Sequence, residues 1–143
     1  MLIHKKNNMI GKIFLDWGCI EDLVYDLSKN ITLYFPDIEY IHGLKRGGLI
    51  PAVMLSHLIG KPMIDSLNYP NKQILIVDDI CDSGKTLQKW DNYKTAVLHY
   101  KPHTSCLKPT FWSKTHKTDE WIIYPWERDD SKTIQDYKLN LDL

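Results

Sequence analysis

Four aliphatic residues, Ile74-Leu75-Ile76-Val77, run without alternation into Asp78-Asp79-Ile80-Cys81-Asp82-Ser83-Gly84-Lys85-Thr86. An unbroken apolar run of this length suits a central strand covered on both faces, the kind found in parallel sheets. The carboxylates and hydroxyls that follow belong in water or on a ligand. The strand therefore opens into a polar loop at its carboxyl end, where ligands of open α/β sheets collect.

The rest of the chain fits the same architecture. Lys12 to Leu15 reads as a short first strand or lead-in, and Asp16 as the cap of a helix over roughly Trp17 to Lys29, where Ile20, Leu23, Val24 and Leu27 form one apolar stripe. Ile38 to Leu44 is expected as a strand leading into Lys45-Arg46-Gly47-Gly48, two glycines that let a ligand approach the main chain. Leu49 to Ile59 is expected as a helix, with Pro51 in its first turn and Gly60 at its end. Pro62 to Ser66 reads as a brief strand, Leu67 to Lys72 as a turn, Gly84 to Trp90 as a helix and Thr95 to Tyr100 as a further strand. Lys101 to Asp119 is polar and aperiodic; Trp121 to Tyr124 is a late strand, and a charged tail follows from Arg128. Strands alternating with helices imply an α/β fold, a mainly parallel twisted sheet with helices on both faces.

At 143 residues and 43% hydrophobic content, one soluble domain is expected. Eighteen basic residues balance eighteen acidic ones, so no net field favours nucleic acid or an anionic membrane, and any phosphate site must be local. Three cysteines, Cys19, Cys81 and Cys106, are odd in number and irregular in spacing, which suits free thiols in a reducing, cytoplasmic setting. Met1 to Asn8 is followed by no apolar targeting segment, and no stretch approaches the length of a membrane span. Cys81 is expected to be packed beneath a loop, with no histidine near it in sequence to activate it.

Three chemistries compete for the central loop. Gly84-Lys85-Thr86 resembles the end of a P-loop, but that pattern needs a glycine where Asp79 stands. A phosphoacceptor receiver domain also ends a strand in two acids, yet too little chain follows here. The third reading uses every polar residue. Asp78 and Asp79 can accept from the vicinal hydroxyls of a ribose, directly or through a metal ion. Ser83 to Thr86 can wrap a phosphate at a helix start, with Asp82 between, near the anomeric carbon. Carboxylates beside a phosphate nest describe a sugar phosphate.

Ile74 to Thr86 resembles the 5-phosphoribosyl-1-diphosphate (PRPP) motif of type I phosphoribosyltransferases: four hydrophobic residues, two acids, two variable positions, then Asp-Ser/Thr-Gly-x-Thr. Gly43 to Ala52 resembles the pyrophosphate loop of the purine branch, especially the bacterial xanthine-guanine enzymes. Tyr100-Lys101-Pro102 and Trp121-Ile122-Ile123-Tyr124-Pro125-Trp126-Glu127 are similar to that branch's base-reading segments. The resemblance spans about residues 12 to 128. It implies a Rossmann-like core over about 12–100, a small hood from about 101–128 with the N-terminal segment, and a tail over 129–143. It implies that Asp78 and Asp79 hold ribose and Mg2+. Asp82 to Thr86 would hold the 5′-phosphate, with Asp82 also the candidate general base, equally placed to stabilise charge at C1′. Lys45, Arg46, Gly47 and Gly48 would take pyrophosphate, through a cis peptide placed by position at Lys45–Arg46. Lys101 would donate to the purine 6-oxo group, Trp121 would stack on the base, the Ile122 main chain would read its edge, and Glu127 would hold a second magnesium.

The implied reaction joins a 6-oxopurine to PRPP for purine salvage, in a homo-oligomer, dimer or tetramer, with no nucleic-acid or membrane partner. The chain departs from the family at Lys61 to Gln73, too short for a long lid over the site, and at Glu127, where Asp is more usual. A short lid keeps open an alternative, a PRPP- or nucleotide-binding regulator with little turnover. Without the resemblance, Lys101 reads as a solvated strand-end charge and Trp121 as core; Trp126 reads as core even with it, and His57 as surface or packed core.

Overall fold

The computed structural model describes residues 11–67 and 73–130. Asp16 caps the first helix as expected, its Oδ1 accepting from the Cys19 N–H at 2.8 Å. That helix, α1 (Trp17–Tyr34), runs a turn and more past Lys29, because Ile31 extends the stripe of Ile20, Val24 and Leu27 and is equally buried. The second helix, α2 (Leu49–Ile59), has the expected limits. Gly60 closes it in the left-handed region, φ 74°, with its N–H bonded to the Ser56 carbonyl.

Strands β2 (Tyr40–Gly43), β3 (Ile74–Cys81), β4 (Lys94–Tyr100) and β5 (Phe111–Thr115) form one parallel sheet in that order. Alternate residues of β3 enter opposite cores. Leu75 and Val77 pack with α1 and α2, while Ile74 and Ile76 pack with Leu87, Ile64 and Val97. The unbroken apolar run therefore reports a strand buried on both faces, as the sequence reading requires.

Four expectations change. β3 does not stop at Val77 but carries Asp78 and Asp79 within it. The helix expected over Gly84 to Trp90 is one turn, α3 (Lys85–Gln88), so one sheet face is covered by two long helices and the other largely by turns. Pro62 to Ser66 contributes a single parallel bridge, Ile41 to Met63. The stretch Lys101 to Asp119, expected to be irregular, contains β5; its residues 111–115 thus join the main sheet. Of the turn expected over Leu67 to Lys72, only Leu67 is described; residues 68–72, with Tyr69, lie outside the described residues, as do Met1 to Asn8 and residues 131–143.

A second sheet has two strands, β1 (Lys12–Phe14) and β6 (Trp121–Ile123), paired parallel with Ile13 opposite Ile122. In the main sheet the chain leaves β2 towards the Met63 bridge on one side and leaves β3 towards β4 on the other. The β2–β3 junction is therefore the topological switch point, and a crevice opens beyond the strand ends there.

Candidate active site

The loops that follow β2 and β3 meet at the switch point and wall a cavity of ≈ 1170 Å3. The Leu44 N–H donates to the Val77 carbonyl at 2.9 Å and the Gly48 N–H to the Leu44 carbonyl at 2.8 Å, which turns the first loop back over β3. The Lys45–Arg46 peptide is cis. Neither following glycine has room for a side chain. A Cβ on Gly47 would overlap the Asp79 carboxylate, and one on Gly48 would overlap the Val77 carbonyl oxygen.

Asp78 and Asp79 stand side by side where β3 meets that loop. Each is held by the next amide: Asp79 N–H to Asp78 Oδ1 at 2.9 Å, and Ile80 N–H to Asp79 Oδ1 at 2.8 Å. Burial pushes the Asp78 carboxyl well above the usual carboxylate range, and the neighbouring Asp79 charge adds to it. Burial raises Asp79 as well, against the hydrogen bonds from Asp78 and the main chain that lower it. A buried acid beside a half-buried one is a costly arrangement, which a bound cation would relieve.

Beyond them the chain turns through Asp82 to Thr86. Gly84 takes φ 83°, and a Cβ there would lie 2.7 Å from Ser105 Oγ. A four-residue helix has little macrodipole, so the anion attraction expected from a helix end falls to the turn's own amides and hydroxyls. The loop after β4 braces this turn from behind. Lys101 N–H donates to the Cys81 carbonyl at 3.0 Å and Cys106 N–H to the Ser83 carbonyl at 2.8 Å. The Ser105 hydroxyl donates to the Leu107 carbonyl at 2.6 Å, so the contact of 3.2 Å between Cys81 Sγ and Ser105 Oγ is donated by the thiol. Burial pushes the Cys81 thiol up, which makes it a packed group under a loop rather than a nucleophile. Lys101 is buried at 8% exposure, not solvated, and its ammonium stands 3.6 Å from Asp82 Oδ1.

The third wall is the segment after β6. Trp121 lines the cavity at 52% exposure, while Ile122 is buried. Tyr124 is buried with its ring stacked on Trp126, 4.9 Å between centroids and 4° between planes. Glu127 Oε1 accepts the Tyr124 N–H at 2.9 Å; burial raises the Glu127 carboxyl, and Arg46 opposes that rise.

The Tyr124 hydroxyl donates to the Asp79 carbonyl at 3.2 Å, so its oxygen must accept from His99 Nδ1 at 2.8 Å. His99 is thereby assigned as the neutral Nδ1–H tautomer. Burial, with smaller contributions from His116 and Lys114, lowers its pKa to about 4 from 6.5. The unfolded chain takes up this proton as pH falls through 6.5, whereas the native state resists until about 4. The stability held by neutral His99 is whole above pH 6.5 and is lost towards pH 4, about 3 kcal/mol in all. Urea denaturation at pH 7 and pH 4.5 should show this acid loss, and His99→Gln, which keeps a donor but does not titrate, should show a smaller one. Equal losses in the two proteins would refute the assignment.

Of the candidate residues read from the sequence, all but Gly48 line the one cavity. Gly48 lies behind it against β3. Arg128, the second arginine, is exposed beside Asp130 and is not on the wall. His57 is exposed, and Trp126 lines the cavity rather than filling the core alone. The sequence reading missed Tyr124 as the link between the third wall and β3, and missed Thr104 altogether. Only the position of Thr104, three residues past Lys101, offered a signal.

No family model matches the chain. It is 29% identical over 112 residues to a xanthine-guanine phosphoribosyltransferase of Cereibacter sphaeroides, covering 59% of this chain and 66% of that protein. It is 26% identical over 133 residues to a xanthine-guanine phosphoribosyltransferase of Desulfotalea psychrophila, covering 74% and 82%. Among solved structures it superposes on a purine phosphoribosyltransferase from Pyrococcus horikoshii with a TM-score of 0.72 and 27% identity, covering 87% of this chain and 99% of that one.

Proposed function

We propose that this chain, which belongs with the purine branch of the type I phosphoribosyltransferases, transfers the 5-phosphoribosyl group of PRPP to a 6-oxopurine and releases pyrophosphate, as a step of purine salvage. One observation carries the reading. The Lys45 to Gly48 loop, the Asp78–Asp79 pair, the Asp82 to Thr86 turn, Lys101 and the Trp121 to Glu127 segment converge on a single cavity.

In this reading, Ser83 to Thr86 hold the 5′-phosphate, Asp78 and Asp79 the ribose hydroxyls, and Lys45 to Gly48 the pyrophosphate. A purine carries its 6-oxo group and an imidazole nitrogen on one edge, close enough for one bidentate partner to span. Lys101 and Asp82, 3.6 Å apart, suit that edge as donor and proton acceptor. Trp121 supplies an exposed ring for stacking on the base. The purine's other imidazole nitrogen, away from that edge, attacks C1′ as the C1′–oxygen bond to pyrophosphate breaks. The purine proton passes to Asp82, and the bond electrons leave with pyrophosphate.

Asp78 and Asp79 fit a magnesium ion, being hard oxygen donors raised by burial for want of positive charge. Among the described residues no group of three acids, histidines or cysteines could hold a metal ion by itself, so substrate oxygens would have to share in holding it. Glu127 is the proposed holder of a second ion. Bound magnesium would neutralise the charge that develops on pyrophosphate.

The raised Asp78 gives a stability test. Above the unfolded carboxylate pKa of 3.8, the native state either holds a proton the unfolded chain has lost or bears a buried charge. Its contribution to stability therefore falls as pH rises from that value. At pH 7.5 in chelator, Asp78→Asn should melt a few degrees above the unsubstituted protein. Magnesium with PRPP should raise the melting temperature of the unsubstituted protein far more than that of the variant, since stabilisation follows ligand affinity for the native state. A variant that melts lower in chelator contradicts the assigned cost.

Purified protein with magnesium and PRPP should convert guanine, xanthine or hypoxanthine. No pyrophosphate release with any of the three sinks the proposal, and a kcat in the ordinary enzyme range removes the alternative of a binding regulator. The proposed setting is cytoplasmic; no helix among the described residues is long and apolar enough to cross a membrane. The proposed dimer or tetramer draws support from α2, a helix without Lys, Arg, Asp or Glu that exposes Val53 and Leu58.

A further inference from the structure

We propose that Thr104 is a positioning residue for the transfer reaction, its hydroxyl fixing the Asp82 carboxylate that receives the purine proton. This rests on the phosphoribosyltransferase reading above. Thr104 Oγ1 lies 2.7 Å from Asp82 Oδ1, 3.0 Å from the Asp82 carbonyl and 3.4 Å from the Lys101 carbonyl. A hydroxyl has one proton to give, and the short, charge-assisted bond to the carboxylate is the strongest of the three.

Thr104 does not line the cavity, so it acts through Asp82 and not on substrate. Its own place is set by the loop that braces the PRPP turn. Thr104 and Ser105 N–H groups donate to the Lys101 carbonyl at 3.3 and 3.1 Å, and Cys106 N–H holds the Ser83 carbonyl. The hydroxyl is thus carried on a frame tied to residues on both sides of Asp82.

The Asp82 side chain is 42% exposed, enough to turn in solvent unless something holds it. Lys101 and Thr104 both hold Oδ1, which leaves Oδ2 to take the proton. When Lys101 turns its ammonium to the purine oxygen, its share of that hold weakens. Thr104 is then the side chain that keeps the carboxylate in line, at the moment the proton transfers.

The test is steady-state kinetics of Thr104→Val and Thr104→Ser with PRPP and the best of the three bases. Thr104 is exposed, so the isosteric Val is expected to fold with an unchanged melting temperature. Val should lower kcat about tenfold, the scale of a lost hydrogen bond to a charged group. The KM values for PRPP and base should stay within about twofold, and Ser should restore kcat to within about twofold. A Val variant with the original kcat, a loss confined to KM, or a Ser variant as slow as Val overturns the assignment. No turnover by the unsubstituted protein overturns the function reading instead; turnover with an unaffected Val variant overturns this inference alone.

Discussion

Asp82→Asn is expected to lower kcat by about 10²–10⁴, the usual contribution of a positioned general base. Asparagine keeps the size of the side chain and an oxygen that accepts from Thr104, so the fold and the Asp82 to Thr86 turn should persist. What it cannot do is take a proton. Binding of a nucleoside monophosphate, measured by calorimetry, should therefore remain while pyrophosphate release collapses. Retained turnover would show that the proton goes elsewhere. Loss of nucleotide binding together with turnover would show that the carboxylate holds the ligand instead.

Gly47→Ala and Gly48→Ala should fail in different ways, although the residues are neighbours. The Gly48 Cβ would strike main chain: the Val77 carbonyl, the Leu44 carbonyl at 2.8 Å and Asp78 Cα at 2.9 Å. None of these yields without parting the loop from β3, so Gly48→Ala should lose about 3 kcal/mol or more of stability in urea denaturation. The nearest atoms to a Gly47 Cβ all belong to the Asp79 carboxylate, a side-chain end that can turn aside at the cost of its bond from the Ile80 N–H. That variant should fold with a small change in stability and lose about 10²-fold in kcat/KM for PRPP, since a displacement of about 1 Å at a reacting centre has that effect. Equal stability losses in both variants would mean that the distinction between yielding side chain and fixed main chain is wrong.

Much of this arrangement was legible because local rules and burial agreed. The β3 run, the Asp16 cap, and Pro51 and Gly60 at the two ends of α2 each state their structure within a few residues. What was not legible depends on distant partners. β5 is an edge strand whose Phe111 is buried by α1 and β4, contacts that its own sequence does not announce. The helix after Gly84 ends after one turn, and Trp90 then packs beside His42 of β2. At the site, the motif located the Asp78–Asp79 pair and the Asp82 to Thr86 turn on the cavity wall. It could not show that Lys101 is buried against Asp82, or that Tyr124 and Thr104 join separate loops, because those contacts join residues far apart in the sequence.

The pairing of β1 with β6 joins residues more than a hundred positions apart. A contact of that span is among the slowest for a chain to find, since the intervening loop must be closed before it gains anything. As the polypeptide emerges from the ribosome, β2 and β3 are out long before Trp121. The loops after β2 and β3 are then made while the wall that carries Trp121 is still to come. β1, made before either of these loops, stays without its partner until β6 is made. The third wall of the cavity would therefore be completed after the other two.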